Sequence, residues 1–201
     1  SSLPSPPAPF PRAQALNLTR VYGIHLDAHG PNLFAAAGNC VVYAVAAICV
    51  VHELESGGQR FFHGHRDDIS ALAVDPEGKI AASGQVTSTT SPAFVCVWEI
   101  ETCAELFRIG MTQPPAIERM VAALAFTPDS THLVTVGADD RHSLKVWDLT
   151  DEKTPVFEGQ AQNGKPPAVW GVHCAPAHVA SAFGANDFLV TAGDNHICFW
   201  T

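Results

Sequence analysis

The chain has 201 residues, of which 47% are apolar and 15% are charged, and its formal net charge is −9 at pH 7. This composition excludes an intrinsically disordered chain. The chain is long enough to bury a sizeable core. The 11 basic residues are scattered and form no run, so neither nucleic acid nor an anionic membrane is predicted as a partner.

The first predicted segment is an extended arm. Residues 1–15 hold five prolines and no hydrophobic periodicity, which is typical of an extended linker. From Leu16 onward, short runs rich in Val, Ile, Thr and Phe alternate with turn residues. This pattern predicts β-strands.

One uncharged run, from Cys40 to Val51, is a candidate membrane span. It has 12 residues, whereas a spanning helix needs about 20. Because the run is rich in Val and Ile, we predict two short buried strands that separate near Ala46 and Ala47. The sequence therefore predicts no membrane segment.

Three tryptophans mark an internal repeat. Trp98, Trp147 and Trp200 are 49 and 53 residues apart. Each tryptophan lies at the end of a predicted strand, and two further predicted strands joined by a turn precede that strand. Each unit then comprises four short antiparallel strands, with a period of about 50 residues. Because such units bury their faces by stacking on their neighbours, the sequence predicts a β-propeller.

The repeat also gives the boundaries of the blades. The predicted blades cover residues 32–62, which are diverged, then 63–109, 119–158 and an incomplete 169–201. The expected fold is thus all-β, with about three and a half four-stranded blades. Since propellers close with four to eight blades, we expect a fragment of a larger propeller that packs against the remainder of that propeller.

The second unit resembles a WD repeat. In GHRDDISALAVDPEGKIAASGQ…VCVWEIET, Gly64-His65 begins the unit and Trp98-Glu99 ends its third strand. The resemblance implies a structural hydrogen-bond network in each blade, made by a His, a Ser or Thr, an Asp and the Trp. The candidate members are His65, Ser83 and Trp98 in the second unit, Asp139 or Asp140 with Trp147 in the third, and Thr191, Asp194 and Trp200 in the fourth. The second unit lacks the Asp, and the long loop QVTSTTSPAF stands there instead.

Two stretches of the sequence resemble one particular family of WD-repeat proteins. Residues 16–34 contain Val21-Tyr22-Gly23, and residues 58–85 read GQRFFHGHRDDISALAVDPEGKIAASGQ. Together they resemble the echinoderm microtubule-associated protein-like family, in which a hydrophobic motif called HELP ends in Val-Tyr-Gly and leads into the first blade. The resemblance implies a HELP-like lead-in over residues 16–31.

The same resemblance carries an expectation of function. It implies a non-enzymatic microtubule-associated or axonemal scaffold that presents propeller loops to tubulin or to partner proteins. The implied location is the cytoplasm and cytoskeleton, with the axoneme or basal body of a cilium or flagellum as the more specific expectation. The net charge argues against bulk attraction to the acidic microtubule surface. Loops are therefore the candidate binding surfaces, at residues 85–94, 110–118, 159–168 and 175–186.

Other function classes compete with this one. A general WD-repeat adaptor in a ciliary or centriolar, signalling or ubiquitin complex would share every blade feature. An enzyme is not predicted, because no nucleophile elbow accompanies His65 and Ser83. No metal and no cofactor is predicted, because His63 and His65 have no third ligand near in sequence and no phosphate-binding loop follows. The six cysteines contain no Cys-x-x-Cys pair, which predicts free thiols in a reducing compartment.

Overall fold

The computed structural model describes residues 17–24, 31–112, 115–150, 154–161, 168–182 and 189–201. The predicted arm over residues 1–15 lies outside these ranges. The described residues form four antiparallel sheets and one short helix. The predicted all-β fold of propeller blades is therefore confirmed.

The first two sheets, blades 1 and 2, each contain four strands that pair in sequence order. Blade 1 comprises β1 (Leu33–Ala36), β2 (Cys40–Val45), β3 (Ile48–Glu53) and β4 (Gln59–Phe62). Blade 2 comprises β5 (Ile69–Val74), β6 (Ile80–Gln85), β7 (Val95–Glu99) and β8 (Glu105–Ile109).

Blades 3 and 4 continue the same order along the chain. Blade 3 comprises β9 (Val121–Phe126), β10 (His132–Gly137), β11 (Ser143–Asp148) and β12 (Pro155–Gln160). Blade 4 comprises β13 (Val169–Cys174), α1 (Ala177–Ala182), β14 (Leu189–Gly193) and β15 (His196–Trp200), and its sheet has three strands within the described ranges.

The uncharged run that resembled a membrane span forms the hairpin of β2 and β3, as predicted. Val45 pairs with Ile48 at its end, and Ala46 in the turn has a φ of 50°. The described part of the chain holds no helix that is long and apolar enough to span a bilayer.

Blade 4 departs from the other blades in the connection between its first two strands. Residues 175–186 were expected to form a plain loop, but they contain the helix α1. Pro176 precedes this helix, and its carbonyl accepts the N–H groups of Val179 and Ala180. The alanine-rich sequence favours a helix, and proline fits at its start because no hydrogen bond is lost there.

The core consists of separate clusters at the interfaces of successive blades. Between blades 1 and 2, the ring of Phe62 stacks on Trp98 with centroids 4.7 Å apart. Between blades 2 and 3, the fully buried Trp147 packs among residues that include Val97 and Leu124. A third cluster, between blades 3 and 4, contains Val134, Val136, Leu144, Val169 and Val172. Each blade is therefore stabilised mainly by its neighbours.

The connections between strands lie at two opposite edges of the blades, because consecutive strands are antiparallel. We call one edge the lower rim, which contains residues 37–39, 54–58, 75–79, 100–104 and 127–131. The other edge is the upper rim, which contains residues 63–68, 86–94, 110–112, 115–120 and 138–142.

Turns of the lower rim touch from blade to blade. The Asp75 carboxylate closes the β5–β6 turn by accepting the N–H groups of Lys79 and Ile80, both at 2.7 Å. In the same turn, Gly78 has a φ of 71°, and its carbonyl accepts the N–H of Ala37 in blade 1 at 2.9 Å. A Cβ atom on Gly78 would lie 2.5 Å from that nitrogen, so this close contact requires glycine.

Candidate functional site

Blade 2 contains a buried hydrogen-bond network centred on Ser83. The Trp98 indole Nε1–H donates to Ser83 Oγ at 3.1 Å, and Ser83 Oγ lies 2.6 Å from Nε2 of His65. Ser83 and Trp98 are fully buried and His65 nearly so. The structure thus brings together the three residues that were predicted as members of the network in this blade.

Gln85 completes the network in this unit, which lacks the Asp of the WD repeat. Its side-chain oxygen lies 3.2 Å from Nδ1 of His65 and accepts the N–H of Arg66 at 3.1 Å. Because a carboxamide oxygen only accepts, Nδ1 carries the imidazole proton and Nε2 accepts the Ser83 hydroxyl proton. Trp98 therefore donates to Ser83, Ser83 to His65, and His65 to Gln85. No member of this network carries a charge.

Burial keeps this network neutral. Burial of the imidazole lowers the pKa of His65 to about 4, although the hydrogen bond that it donates to Gln85 opposes the shift, and the Arg108 guanidinium lowers it further. The nearby Cys49 thiol is fully buried, and this burial raises its pKa to about 12. Burial likewise raises the pKa of Cys96. Neither His65 nor these thiols is therefore charged at neutral pH.

Blade 3 has a shorter version of the network. The Trp147 Nε1–H donates to Thr135 Oγ1 at 3.0 Å. Asp139 is buried and accepts the N–H groups of Arg141 at 2.9 Å and Ser143 at 3.1 Å, so its carboxylate closes the β10–β11 turn rather than contacting the tryptophan. Burial raises the pKa of Asp139, but the hydrogen bonds from Ser143 and Arg141 outweigh it and hold the pKa below its usual value.

The second candidate carboxylate of blade 3 has a different place. Asp140 is exposed on the upper rim and forms an ion pair with Arg119 at 2.7 Å. It therefore lies outside the buried network of the blade, although it links two connections of the upper rim.

Blade 4 repeats the pairing of tryptophan and threonine. The Trp200 Nε1–H donates to Thr191 Oγ1 at 3.0 Å, and the Thr191 hydroxyl donates to the Ala161 carbonyl of blade 3 at 2.7 Å. Asp194 is exposed, and its backbone N–H donates to the carbonyl of Ala168. Thr191 thus joins two blades, and Asp194 supports the end of the β14–β15 hairpin.

Sequence reasoning missed two members of these networks, Gln85 and Thr135. Thr135 is the fourth residue of β10, as Ser83 is the fourth residue of β6. Alignment of the second strands would therefore have found it. Gln85 lacked a comparable signal, because the corresponding sixth residue of β10 is Gly137.

Removing the Ser83 hydroxyl tests the network of blade 2. We expect Ser83→Ala to lower the free energy of unfolding by about 2 kcal/mol, because the indole N–H of Trp98 and Nε2 of His65 lose a buried partner. Urea denaturation measures the change. Ser83→Thr is the matched control and should cost less, since threonine makes the same bond in blades 3 and 4. Equal stability of the alanine variant and the native protein would contradict the network.

The histidines and cysteines of the described residues do not form a metal centre. His63 is exposed, while both ring nitrogens of His65 already lie near Ser83 and Gln85. No group of three His, Cys, Asp or Glu side chains that could hold a metal occurs within the described ranges. All six cysteines are free thiols.

The upper rim is held together across blades 2 and 3. The backbone of Val86 pairs with Met120 in an antiparallel bridge and also bonds to Asp68 at 3.0 Å. The adjacent Thr87 N–H donates to the carbonyl of Arg119. The long loop 86–94 is therefore fixed to the connection that leads into blade 3, and it can present a defined surface.

The first strands of the blades line a cleft of about 360 Å³ at the inner side of the sheets. Ser70 and Trp170 both lie at β-bulges in this lining, in β5 and β13. The Ser70 hydroxyl donates to the Val121 carbonyl of blade 3 at 2.8 Å. Blade 4 carries a large indole where blade 2 carries this small hydroxyl, so the inner surface differs between blades.

The predicted lead-in motif lies against blade 1. Val21 N–H donates to Oε1 of Gln59 at 2.8 Å, and Nε2 of Gln59 donates to the Val21 carbonyl at 3.1 Å. Gly23 has a φ of 98°, a conformation that favours glycine. Tyr22 is 83% exposed. Residues 25–30 of the predicted lead-in lie outside the described ranges.

Comparisons with known proteins agree with this architecture. Residues 58–99 and 117–148 match the family described as WD domain, G-beta repeat. The chain is 31% identical to echinoderm microtubule-associated protein-like 2 of Rattus norvegicus over 195 residues, which cover 92% of this chain and 28% of that protein. It is 31% identical to the like-1 protein of Homo sapiens over 196 residues, covering 92% of this chain and 22% of that protein. It is 32% identical to the like-3 protein of Mus musculus over 212 residues, covering 98% of this chain and 22% of that protein.

These matches confirm the resemblance that the sequence motifs predicted. The chain nonetheless spans only 22–28% of the length of these relatives.

Proposed function

Because this chain contains WD40 repeats and is similar to the echinoderm microtubule-associated protein-like family along 92–98% of its length, we propose that it is part of a non-enzymatic microtubule-associated scaffold. The scaffold presents propeller loops to tubulin or to partner proteins, including those of an axoneme. The observation that carries this proposal is the similarity to relatives whose names describe them as microtubule-associated. The protein then resides in the cytoplasm on the cytoskeleton, or at an axoneme or basal body, and its six free thiols fit a reducing compartment.

The upper rim is the surface that we assign to an acidic partner such as the microtubule. Three exposed arginines, Arg66, Arg119 and Arg141, lie there beside three exposed acidic residues, Asp68, Glu118 and Asp140. The described part of the lower rim carries four exposed acidic residues, Glu55, Glu77, Glu101 and Asp129, against one exposed basic residue, Lys79. Since the upper rim has as many exposed basic as acidic residues, it repels an acidic surface less than the lower rim does, and its arginines can contact that surface locally.

A further blade of the same propeller is the partner that we assign to the partly exposed apolar side of β15 in blade 4. Ile197 and Phe199 on β15 are 60% and 62% exposed. They precede Trp200 by three residues and one, as Val95 and Val97 precede Trp98, yet both of these valines are buried beneath blade 3. The apolar side of β15 therefore supports the expectation that another blade covers it.

Co-sedimentation of the full-length protein with microtubules tests the proposed function. The native protein should pellet with microtubules at physiological salt. Arg141→Glu on the upper rim should weaken binding by about threefold to tenfold, as expected for loss of a favourable charge and gain of a repulsive one. Lys79→Glu on the lower rim changes the net charge equally and should leave binding nearly unchanged. Retention of the native protein in the supernatant, with no colocalisation on microtubules or cilia, would refute the proposal.

The second candidate function is a general WD-repeat adaptor in a ciliary or centriolar, signalling or ubiquitin complex. The net charge of −9 favours it, because a protein partner does not need a basic surface. Failure of co-sedimentation together with stable capture of the same cellular complex by the full-length protein would favour the adaptor.

A further inference from the structure

The lead-in segment, which we define as residues 17–24, is held to blade 1 by side chains rather than by a neighbouring strand. The carboxamide of Gln59 pairs with both backbone groups of Val21, at 2.8 and 3.1 Å. The Arg20 guanidinium donates to the Gly57 carbonyl at 2.8 Å. These two attachments involve surface groups, so the segment is held in place by contacts that a local charge can disturb.

Within this segment, Tyr22 is unusually accessible. It is 83% exposed, and six of the eight residues from 17 to 24 are exposed, with none in a helix or strand. A kinase needs such access, because it must bring the tyrosine hydroxyl in line with the γ-phosphate of a nucleoside triphosphate.

The sequence supplies an internal comparison, because it has two tyrosines. Tyr43 lies within β2, is only partly exposed, and its hydroxyl accepts a hydrogen bond from Nε2 of Gln59 at 3.2 Å. A kinase could reach this hydroxyl only if the strand opened. The fold therefore distinguishes Tyr22 from Tyr43 by access.

Arg20 gives a phosphate on Tyr22 a partner. The guanidinium carbon of Arg20 lies 6.0 Å from the centroid of the Tyr22 ring, so a group attached to this ring remains near the positive charge. A phosphotyrosine carries about −2 charges at neutral pH and pairs strongly with arginine. The neutral Gly57 carbonyl, which Arg20 contacts now, is the weaker acceptor.

We propose that Tyr22 is a phosphorylation site for a protein tyrosine kinase and that the phosphate loosens the attachment of the lead-in segment to blade 1. The Tyr22 oxygen attacks the γ-phosphorus of ATP, the bond between this phosphorus and the bridging oxygen breaks, and ADP leaves. The phenolic proton passes to the catalytic carboxylate of the kinase. The new phosphate then draws Arg20 away from the Gly57 carbonyl, which leaves Gln59 as the remaining attachment of Val21.

The test uses the full-length protein, ATP and a purified tyrosine kinase domain that phosphorylates a synthetic peptide of residues 17–24. Site-resolved mass spectrometry should find an occupancy at Tyr22 at least about tenfold higher than at Tyr43, which is withheld by the folded strand. Amide hydrogen exchange of residues 17–24 should then become roughly threefold faster or more, since the segment opens more often.

Two variants separate the steps of the proposal. Tyr22→Phe should lose both the phosphate and the change in exchange. Arg20→Gln should still accept the phosphate, but its exchange should be fast before phosphorylation and change little afterwards. The proposal is overturned if the kinase modifies the peptide but leaves Tyr22 of the protein unmodified, if Tyr43 is modified equally, or if exchange of residues 17–24 does not respond.

Discussion

Replacement of Trp147 by alanine is expected to lower the free energy of unfolding by about 3–5 kcal/mol, the range found when a large buried aromatic side chain is truncated. Trp147 is fully buried at the interface of blades 2 and 3. Its removal leaves a cavity among the residues of both blades and takes away the donor that Thr135 Oγ1 now accepts from. Urea denaturation followed by circular dichroism measures the loss.

Two further variants make this experiment specific. Trp147→Phe keeps most of the ring but removes the N–H, so its cost should be smaller than that of Trp147→Ala. Trp200→Ala should also cost less, because Trp200 is only partly buried. A nearly neutral effect of Trp147→Ala would contradict the packing of blade 3 against blade 2.

Acidification from pH 7 to pH 4 is expected to destabilise the protein by about 3 kcal/mol through His65 alone. The pKa of His65 is about 4 in the folded state, against 6.5 for the ordinary imidazole. Between these values the unfolded chain binds a proton that the folded chain does not, so stability falls as the pH falls. The loss through this group begins near pH 6.5 and ends near pH 4.

Carboxylates with lowered pKa values act in a different window. Hydrogen bonds from Thr127 and Thr131 lower the pKa of Asp129 to about 2, so its contribution is present above about pH 4 and is lost as the pH falls towards 2. The control for the higher window is His65→Gln, which should unfold more easily at pH 7 but lose less stability between pH 7 and pH 4. If the unfolding free energies of the native protein and the His65→Gln variant depended identically on pH, the lowered pKa of His65 would be contradicted.

The regular parts of the fold were predictable because periodicity and turn residues determine them locally. The spacing of Trp98, Trp147 and Trp200 defined the blades, and the uncharged run after Cys40 was correctly divided into two strands. The helix α1 was missed, because a six-residue alanine-rich helix after a proline leaves little periodic signal.

The polar networks were predictable only in part, because they depend on which side chains the sheets bring together. Ser83, Thr191 and the tryptophans follow from their positions in aligned strands. Gln85 does not, since the aligned position of β10 is Gly137. The choice between Asp139 and Asp140 also required the structure, because the side chains of adjacent turn residues point in different directions. Asp139 is buried in the β10–β11 turn, whereas Asp140 pairs with Arg119 on the surface.

The division of the core into three interfaces has a consequence for synthesis on the ribosome. The first cluster uses residues from Phe34 to Cys103, the second from Ala71 to Leu149, and the third from Ala122 to Leu189. Each cluster can close while the residues of the next are still being added, because chains emerge from the amino terminus at a few residues per second, slowly compared with local folding. The interface between blades 1 and 2 can therefore form before blades 3 and 4 have been synthesised, so the apolar strands of blade 1 gain this cover early in translation.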